Sequence, residues 1–414
     1  MTSLKLGFFL AWRQVKRSSL GTTTLIIFVM MLTFLNLVVV RGVLVGLIQS
    51  STDVYRKRYS GDVIVSVLPK KDYIENSPSI IEIIENLPWL ESYSARYVEG
   101  GKLEGTYKER IDYKDKPNEA LAQVAGINPE DENKTTNLAS KVIEGRYLSS
   151  DDTDGIMVGA NLLKKYLAFE SPAFSNLDNV EVGSQVRLTL GGNKREMTIR
   201  GVIKSKVDEL DIRIFMLDST MRTLIGRTDY NVDEIAIKTK PGSDPTMVKG
   251  ALLASGVGST AKVQISEEAL PKFLKDIKQT FSLLGDVIGS IGLVVASITI
   301  FIVIYINAIT RRKFIGILKG IGIDSTAIEF SYILQSIFYA TMGVLLGMMV
   351  LYGFLVPYVD AHPINFPFSD GIIVAEFPVI LIRAGLLFLA TVIAGYIPAR
   401  LVVKQNTLDA ILGR

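Results

Sequence analysis

The apolar residues of this chain are gathered into four long runs, and that segregation restricts what it can fold into more than any single motif. Residues 20–47 read LGTTTLIIFVMMLTFLNLVVVRGVLVGL, and further apolar stretches cover 281–309, 328–356 and 371–403. Each is long enough to cross a hydrocarbon layer of roughly 30 Å as a helix of about 20 residues. A backbone in lipid must satisfy its own polar groups, so helices are the natural reading of such runs. A cleaved leader is the competing reading of the first run, because Lys5, Arg13, Lys16 and Arg17 precede it. The bulky VVVRGVLVGLIQ that follows offers no small-residue cleavage site, which favours a retained helix.

Between the first and second runs lies ordinary soluble-domain sequence with charges, turns and short alternating segments. The expected organisation is therefore an amino-terminal segment (1–19), helix one (20–47), a mixed α+β extracytoplasmic domain of two lobes (48–280), helix two (281–309), a short connecting segment (310–327), helix three (328–356), an external loop (357–370), helix four (371–403) and a tail (404–414). The fold class expected is an α-helical membrane protein with four transmembrane helices and a large mixed α+β domain inserted between helices one and two. Short basic loops stay on the cytoplasmic side. Arg311, Arg312, Lys313, Lys319, Arg400, Lys404 and Arg414 would share that side with the amino terminus, whereas the loop after helix three carries Asp360, Asp370 and Glu376. The large domain is thus expected outside the cytoplasm, in a multi-pass cytoplasmic or inner membrane.

Composition excludes several classes. The 414 residues include no cysteine and one histidine, His362, so disulfides, thiolate chemistry and multi-histidine metal sites are out. With 45 basic against 42 acidic residues there is no broad cationic surface for nucleic acid. Asp151–Asp154 (DDTD) lacks the ligand spacing of a calcium loop and reads as a solvated turn. Asn133-Lys134-Thr135 matches a glycosylation acceptor only formally. No nucleophile elbow, H-E-x-x-H motif or Walker A sequence is present.

Within the external region, 62–68, 122–126, 186–190, 197–203, 212–217 and 235–239 read as strands, and 79–87, 159–168 and 246–254 as helices. Gly191-Gly192-Asn193 predicts a tight hairpin turn, and Asp131–Lys134 reads as a polar loop. One lobe would combine residues near 50–125 with 230–280, the middle forming the other. Inside the apolar runs, Gly285, Gly289, Gly292, Gly343 and Gly347 offer small surfaces for close helix contact. Arg41, Asp286 and Arg383 form a candidate membrane charge network, with snorkelling, structural pairing and a direct coupling role all open.

The segment Ile309–Phe330, ITRRKFIGILKGIGIDSTAIEF, combines an RRK start with an apolar stretch too short to span, which suits either an interfacial helix or a protein-docking one. Arg311 to Gly322 resembles the interhelical segment of FtsX-like and MacB-like ABC transporter permeases, including the lipoprotein-releasing branch. Tyr396–Arg414, YIPARLVVKQNTLDAILGR, resembles that family's Pro-Ala-containing end of helix four and its tail. The resemblance covers the whole helix–domain–three-helix order.

It implies a noncatalytic permease subunit that couples ATP hydrolysis by a separate ABC ATPase to export or lipoprotein release. A regulator of an envelope hydrolase and a structural or receptor membrane protein are the alternatives. ATP and magnesium would sit in the partner ATPase, none in this chain. A second copy or a related permease would complete the membrane assembly, with a periplasmic adaptor, a lipoprotein or an envelope hydrolase as external partner. By resemblance the ATPase-coupling residues are Arg311, Arg312, Lys313, Phe314, Ile315, Gly316, Ile317, Leu318, Lys319 and Gly322, with Pro398 and Ala399 in a second contact region. Changes at Gly316 or Leu318 are expected to damage ATPase association or coupling while leaving the isolated external domain folded. Phe314 stands where many relatives carry Glu, and Asn406-Thr407 replaces an Asn-Pro pair, which removes a fixed backbone angle from the tail.

Overall fold

The computed structural model describes residues 2–17, 20–107, 117–167, 176–366, 369–371 and 373–404. They form two compact units. One takes the chain up to Gln49, Phe273–Asn365 and the part from Asp370 onward; the other takes Ser50–Lys272 with Phe366–Ser369.

The first unit is helical. Four helical stretches are long and apolar enough to cross a membrane: Leu20–Ser60, Lys272–Thr310, Ser325–Ala361 and Phe377–Val403. Their ends differ from the sequence expectation. The first helix runs to Tyr55 rather than ending at 47, the second begins at Lys272 rather than 281, and the fourth begins at Phe377 rather than 371. Apolar content marks where lipid lies, while helices continue wherever backbone bonding does, so polar turns such as KFLKDIKQ extend the run. The amino-terminal segment is itself helical from Thr2 to Lys16.

The core of this unit joins Met30, Phe34 and Leu37 of the first helix to Ile300 and Ile304 of the second, Tyr339 and Val344 of the third, and Leu387 of the fourth. Glycines set the approach distances. A methyl group built on Gly343 would lie 2.5 Å from Met30 Cβ, one on Gly347 2.4 Å from Phe34 Cδ1, and one on Gly395 2.1 Å from Ser336 Oγ. Gly285, Gly289 and Gly292 form a looser row facing Arg41, Leu37 and Asn36. Leu283, Val287, Ile291, Val294, Ile298 and Ile302 leave the second helix with an apolar outer surface, as a lipid or subunit neighbour requires.

The second unit is built on one ten-stranded sheet whose strands all lie in the chain between Val63 and Ile265: β1 (Val63–Val67), β2 (Leu90–Glu104), β3 (Glu119–Ile127), β4 (Val142–Gly145), β5 (Gly155–Gly159), β6 (Gln185–Leu190), β7 (Asn193–Ile203), β8 (Arg213–Leu217), β9 (Glu234–Thr239) and β10 (Ala261–Ile265). The path runs β10-β1-β9-β2-β3-β8-β5-β7-β4, and β6 pairs with both β2 and β7. Strands β2, β3, β8, β5, β7 and β6 therefore close on themselves as a six-stranded ring.

The fifteen-residue β2 serves both parts: its first half pairs with β9 and its second with β3 and β6. The proposed two-lobe division at residue 125 thus cuts through the ring, since β3 belongs to it. Gly191 (φ 56°) and Gly192 (φ 82°) make the two-residue turn between β6 and β7, in the left-handed region where glycine carries no Cβ penalty.

Two local expectations are corrected. Pro129–Thr136 is a helix, not a loop, because Asn128 accepts from the Glu130 and Asp131 N–H groups, proline sits in its first turn, and Glu130, Asp131 and Glu132 favour its amino end. Residues 159–167 are not an α-helix, and Ala168 lies outside the described residues: Gly155–Gly159 is a fully buried strand, followed by single 3-10 turns at Ala160–Leu162 and Lys164–Tyr166. The DDTD segment turns on Asp152, which accepts twice from Arg146 at 2.6 Å and once from the Ser149 N–H at 2.8 Å.

Candidate functional site

The segment after the second long helix breaks at Arg311 and resumes as a nine-residue helix, Arg312–Gly320. Its end is set by Gly322, whose φ of 88° few other residues tolerate. The Ile323 N–H reaches the Leu318 carbonyl at 3.0 Å and the Gly322 N–H that of Lys319 at 3.0 Å, the paired bonds of a Schellman stop. Two residues later Asp324 caps the third helix, accepting from the Thr326 N–H at 3.3 Å and its hydroxyl at 2.5 Å. Gly322–Asp324 thus separates the short helix from the third.

Burial divides the residues that resemblance groups together. Ile315, Gly316 and Leu318 face inward, Ile315 and Leu318 packing into the helical core. Lys313, Phe314, Ile317, Gly320, Ile321 and Gly322 face outward. Arg311, Arg312 and Lys319 are half-buried, and Lys319 Nζ donates to the Val403 carbonyl at 2.9 Å, joining the short helix to the end of the fourth. Pro398 and Ala399 are buried inside that helix. Gly316 and Leu318 are therefore buried, and the exposed apolar side chains form the stripe Phe314, Ile317 and Ile321, spaced three and four apart. Asn406, Thr407 and Arg414 lie outside the described residues.

Three helices contribute the second cluster. Asp286 Oδ1 accepts from Arg383 Nη2 at 2.7 Å and also from Arg41 Nη1, so the first, second and fourth helices meet at one carboxylate oxygen. The geometry is that of a paired network, with Asp286 half-exposed and Arg383 nearly buried. Beside it lies a cavity of about 210 Å³ bordered by Leu37, Arg41, Gly42, Glu376 and Arg383. Gly42 allows the chain before the fourth helix to approach: its carbonyl accepts from the Val374 N–H at 3.1 Å, and a Cβ there would fall 2.8 Å from the Val374 carbonyl oxygen.

A third polar constellation, in the sheet unit, escaped the sequence reading. Arg96 on β2 makes a two-point contact with Glu132 at 2.7 and 2.8 Å, both side chains fully buried. Ser94 and Thr136 each donate to the same carboxylate at 2.7 Å. Arg213 on β8 reaches Glu234 at 3.2 and 3.3 Å, and Tyr59 donates to Glu234 at 2.8 Å. Burial would raise the Glu234 carboxyl, but Arg213 and Arg96 outweigh it and hold the group at about 2. Its neighbour Asp233 goes the other way. Burial pushes it up to about 6 despite bonds from the Val98 N–H and Arg227. The only sequence signal for this network is the presence of arginine and glutamate within apolar strand patterns.

Comparison with known families agrees with the helical order. A model described as the MacB-like periplasmic core domain matches residues 19–255, over half of the chain, and one described as the FtsX-like permease C-terminal region matches 287–407. The chain belongs to the MacB-like and FtsX-like family of ABC transporter permeases. Within this permease family, an uncharacterized ABC transporter permease of Methanocaldococcus jannaschii is 23% identical over 65% of the chain and 65% of its own length. The macrolide export ATP-binding/permease protein MacB of Bdellovibrio bacteriovorus is 24% identical over 70% of the chain. The chain spans 43% of the latter's length. The solved periplasmic region of MacB from Actinobacillus actinomycetemcomitans aligns at 16% identity with a TM-score of 0.33, covering 50% of the chain and 91% of that region. The short helix Arg312–Gly320 falls inside the permease match, as do Arg383, Pro398 and Ala399; Arg41 falls inside the core-domain match and Asp286 between the two.

Proposed function

We propose that this permease couples an ABC ATPase to work done by the sheet unit on the far side of the membrane. The observation that carries the reading is the short helix Arg312–Gly320. Its inner face is locked to the helical core and to Val403, while its outer face presents Phe314, Ile317 and Ile321 to a partner. A solvated loop has no reason to expose three apolar side chains at helical spacing, whereas a docking lever does. The basic residues Arg311, Arg312 and Lys313 support the cytoplasmic side for this helix, which puts the sheet unit outside. ATP and magnesium then belong to the ATPase, and no Walker A motif in the sequence competes for that role.

Binding and hydrolysis move the lever only if the ATPase prefers one arrangement of the permease over the other. The names of the MacB relatives favour export as the work performed, with lipoprotein release as the branch within it. A second permease, either an identical copy or a related one, completes the pair of docking helices. A photo-cross-linking residue in place of Ile317 in the native host tests the reading. Capture of a protein carrying a Walker A motif supports it. Capture only of lipid, or labelling of an Ile317→Cys variant by a thiol reagent confined to the outside of intact cells, rejects it.

A further inference from the structure

The sheet unit has a cleft of about 410 Å³ with a one-sided charge pattern that ATPase coupling does not use. Its walls carry Arg56, Lys57, Lys134, Lys238 and Lys240, and Asp62 is its one carboxylate. These cations come from three places: the turn Arg56–Ser60, the helix Pro129–Thr136, and the end of β9 with the residue after it. Asp62 is already engaged. It accepts from the Thr239 N–H at 2.8 Å and hydroxyl at 3.0 Å, and lies 3.7 Å from Arg56.

The lysines are spent to different degrees. Lys238 pairs with Glu91 at 2.7 Å, and Lys240 donates to the Pro88 carbonyl at 2.9 Å. Lys134 reaches Glu130 and Asp131 only at 3.9 and 4.0 Å, and Lys57 has no ion-pair partner among the described residues. Like charges brought together by separate elements repel one another, and an anion between them relieves that cost. Around them stand the hydroxyl of Ser243 and the amide of Asn137, while the Thr135 hydroxyl already donates to Ser92 at 3.1 Å.

We propose that this cleft binds a phosphate-bearing ligand. Ammonium groups and hydroxyls act as separate point donors, which suits a tetrahedral anion with three or more acceptor oxygens. A carboxylate is better served by a free guanidinium fork, and the one arginine here, Arg56, already faces Asp53 at 3.3 Å and Asp62. The volume fits a phosphorylated headgroup or a small phosphate ester. Arg56 and Lys57 follow the apolar run 20–47 by ten residues or fewer, so a phospholipid headgroup and a soluble phosphate are the two sources to separate.

The test uses the full-length chain in detergent, with calorimetric titration of pyrophosphate, glycerol 3-phosphate and monomeric dihexanoyl-phosphatidylglycerol. Saturable binding is expected, weakened about tenfold or more in the triple variant Lys57→Gln/Lys134→Gln/Lys240→Gln, each exposed charge contributing severalfold. The control variant Lys194→Gln/Lys204→Gln/Lys262→Gln removes the same net charge from exposed positions elsewhere and should stay within about twofold of the parent. If the triple variant fails to fold, Lys57→Gln alone, at an exposed position, should still weaken binding severalfold. Binding of the lipid alone identifies a headgroup site, and comparable binding of the soluble anions identifies a free phosphate site. Absence of saturable binding for all three ligands, or equal affinity in the cleft and control variants, overturns the proposal.

Discussion

Replacing Phe314 and Ile317 together by serine should uncouple this permease from its ATPase without unfolding it. Phe314, Ile317 and Ile321 are 53%, 51% and 71% exposed, so a docking partner has that much of each side chain left to cover. Full burial of such a side chain is worth about 1.5–3 kcal/mol. Scaled by exposure, the Phe314 and Ile317 contributions come to about 1.5–3 kcal/mol together, or about a 10- to 160-fold loss of affinity. Serine costs the helix only a few tenths of a kcal/mol per position in propensity. The fold should therefore survive while docking fails.

The assay is copurification of the tagged chain from its native host, with the ATPase subunit quantified per permease. Thermal unfolding of the same samples reports the fold. Leu318→Ser is the contrasting variant: Leu318 is 8% exposed and packs in the core, so its loss should destabilise the helical unit by about 2–4 kcal/mol. Copurified ATPase should then fall only as the folded protein does. A Phe314→Ser/Ile317→Ser variant that keeps its full complement of ATPase and normal ATP turnover in vesicles would refute docking through the outer face.

Three further outcomes follow from the geometry. Asp286→Asn leaves two guanidiniums converging on a neutral group, and should lower the melting temperature of the detergent-solubilised chain by the equivalent of about 1–3 kcal/mol, with partial recovery when Arg383→Gln is added; an unchanged melting temperature removes the structural role of the triad. Gly343→Ala should cost about 1–3 kcal/mol through the 2.5 Å approach to Met30, while Gly385→Ala, with nothing within 4 Å, should be neutral or stabilising, and equal melting temperatures for the two would contradict the close packing. In the sheet unit, Asp233 has its folded value raised from 3.8 to about 6, so its contribution is present at low pH and is lost as pH rises through about 4–6. Glu234 is lowered from 4.5 to about 2, so its contribution is present above about 4.5 and is lost as pH falls towards 2. With stability read from Trp89 fluorescence in a Trp12→Phe background, Asp233→Asn should lose less stability than its parent between about pH 4 and 7; a steeper loss in the variant, or identical profiles, would refute the Asp233 assignment.

What the sequence disclosed depended on whether local pattern carried the information. The four apolar runs, the β6–β7 hairpin with its two glycines, and the glycine rows at 285–292 and 343–347 are local signals, and each has a direct counterpart in the structure. Strand β2 carried no such signal. LESYSARYVEGGKLE alternates poorly because its two halves serve different neighbours, and Gly101 sits where a Cβ would fall 2.7 Å from Val124 Cγ2. Glu132 reads as part of a polar loop because its four flanking residues, Glu130, Asp131, Asn133 and Lys134, are all polar; only Arg96, thirty-six positions away, reveals it as a buried partner. The coupling segment shows the same limit at finer scale. Resemblance selects Arg311–Gly322 as a block, but which of its side chains face outward depends on the helix phase and on Lys319 reaching Val403.

That phase bears on how a displacement would travel. The short helix is held on its inner side by Ile315 and Leu318 in the core and by the Lys319 bond to the last carbonyl of the fourth helix. A partner pulling on Phe314 and Ile317 therefore cannot move this helix alone; it must either break that bond and empty two core sites or carry the end of the fourth helix with it. Emptying two such sites would cost several kcal/mol, which favours joint movement of the packed elements. The fourth helix also carries Arg383, and through Asp286 it is tied to the first and second helices at the opposite end of its length. Interfaces of this kind shift between discrete packings rather than deform smoothly. The triad is then the place where two packings would differ most sharply, because a carboxylate shared by two guanidiniums must either keep both or surrender one.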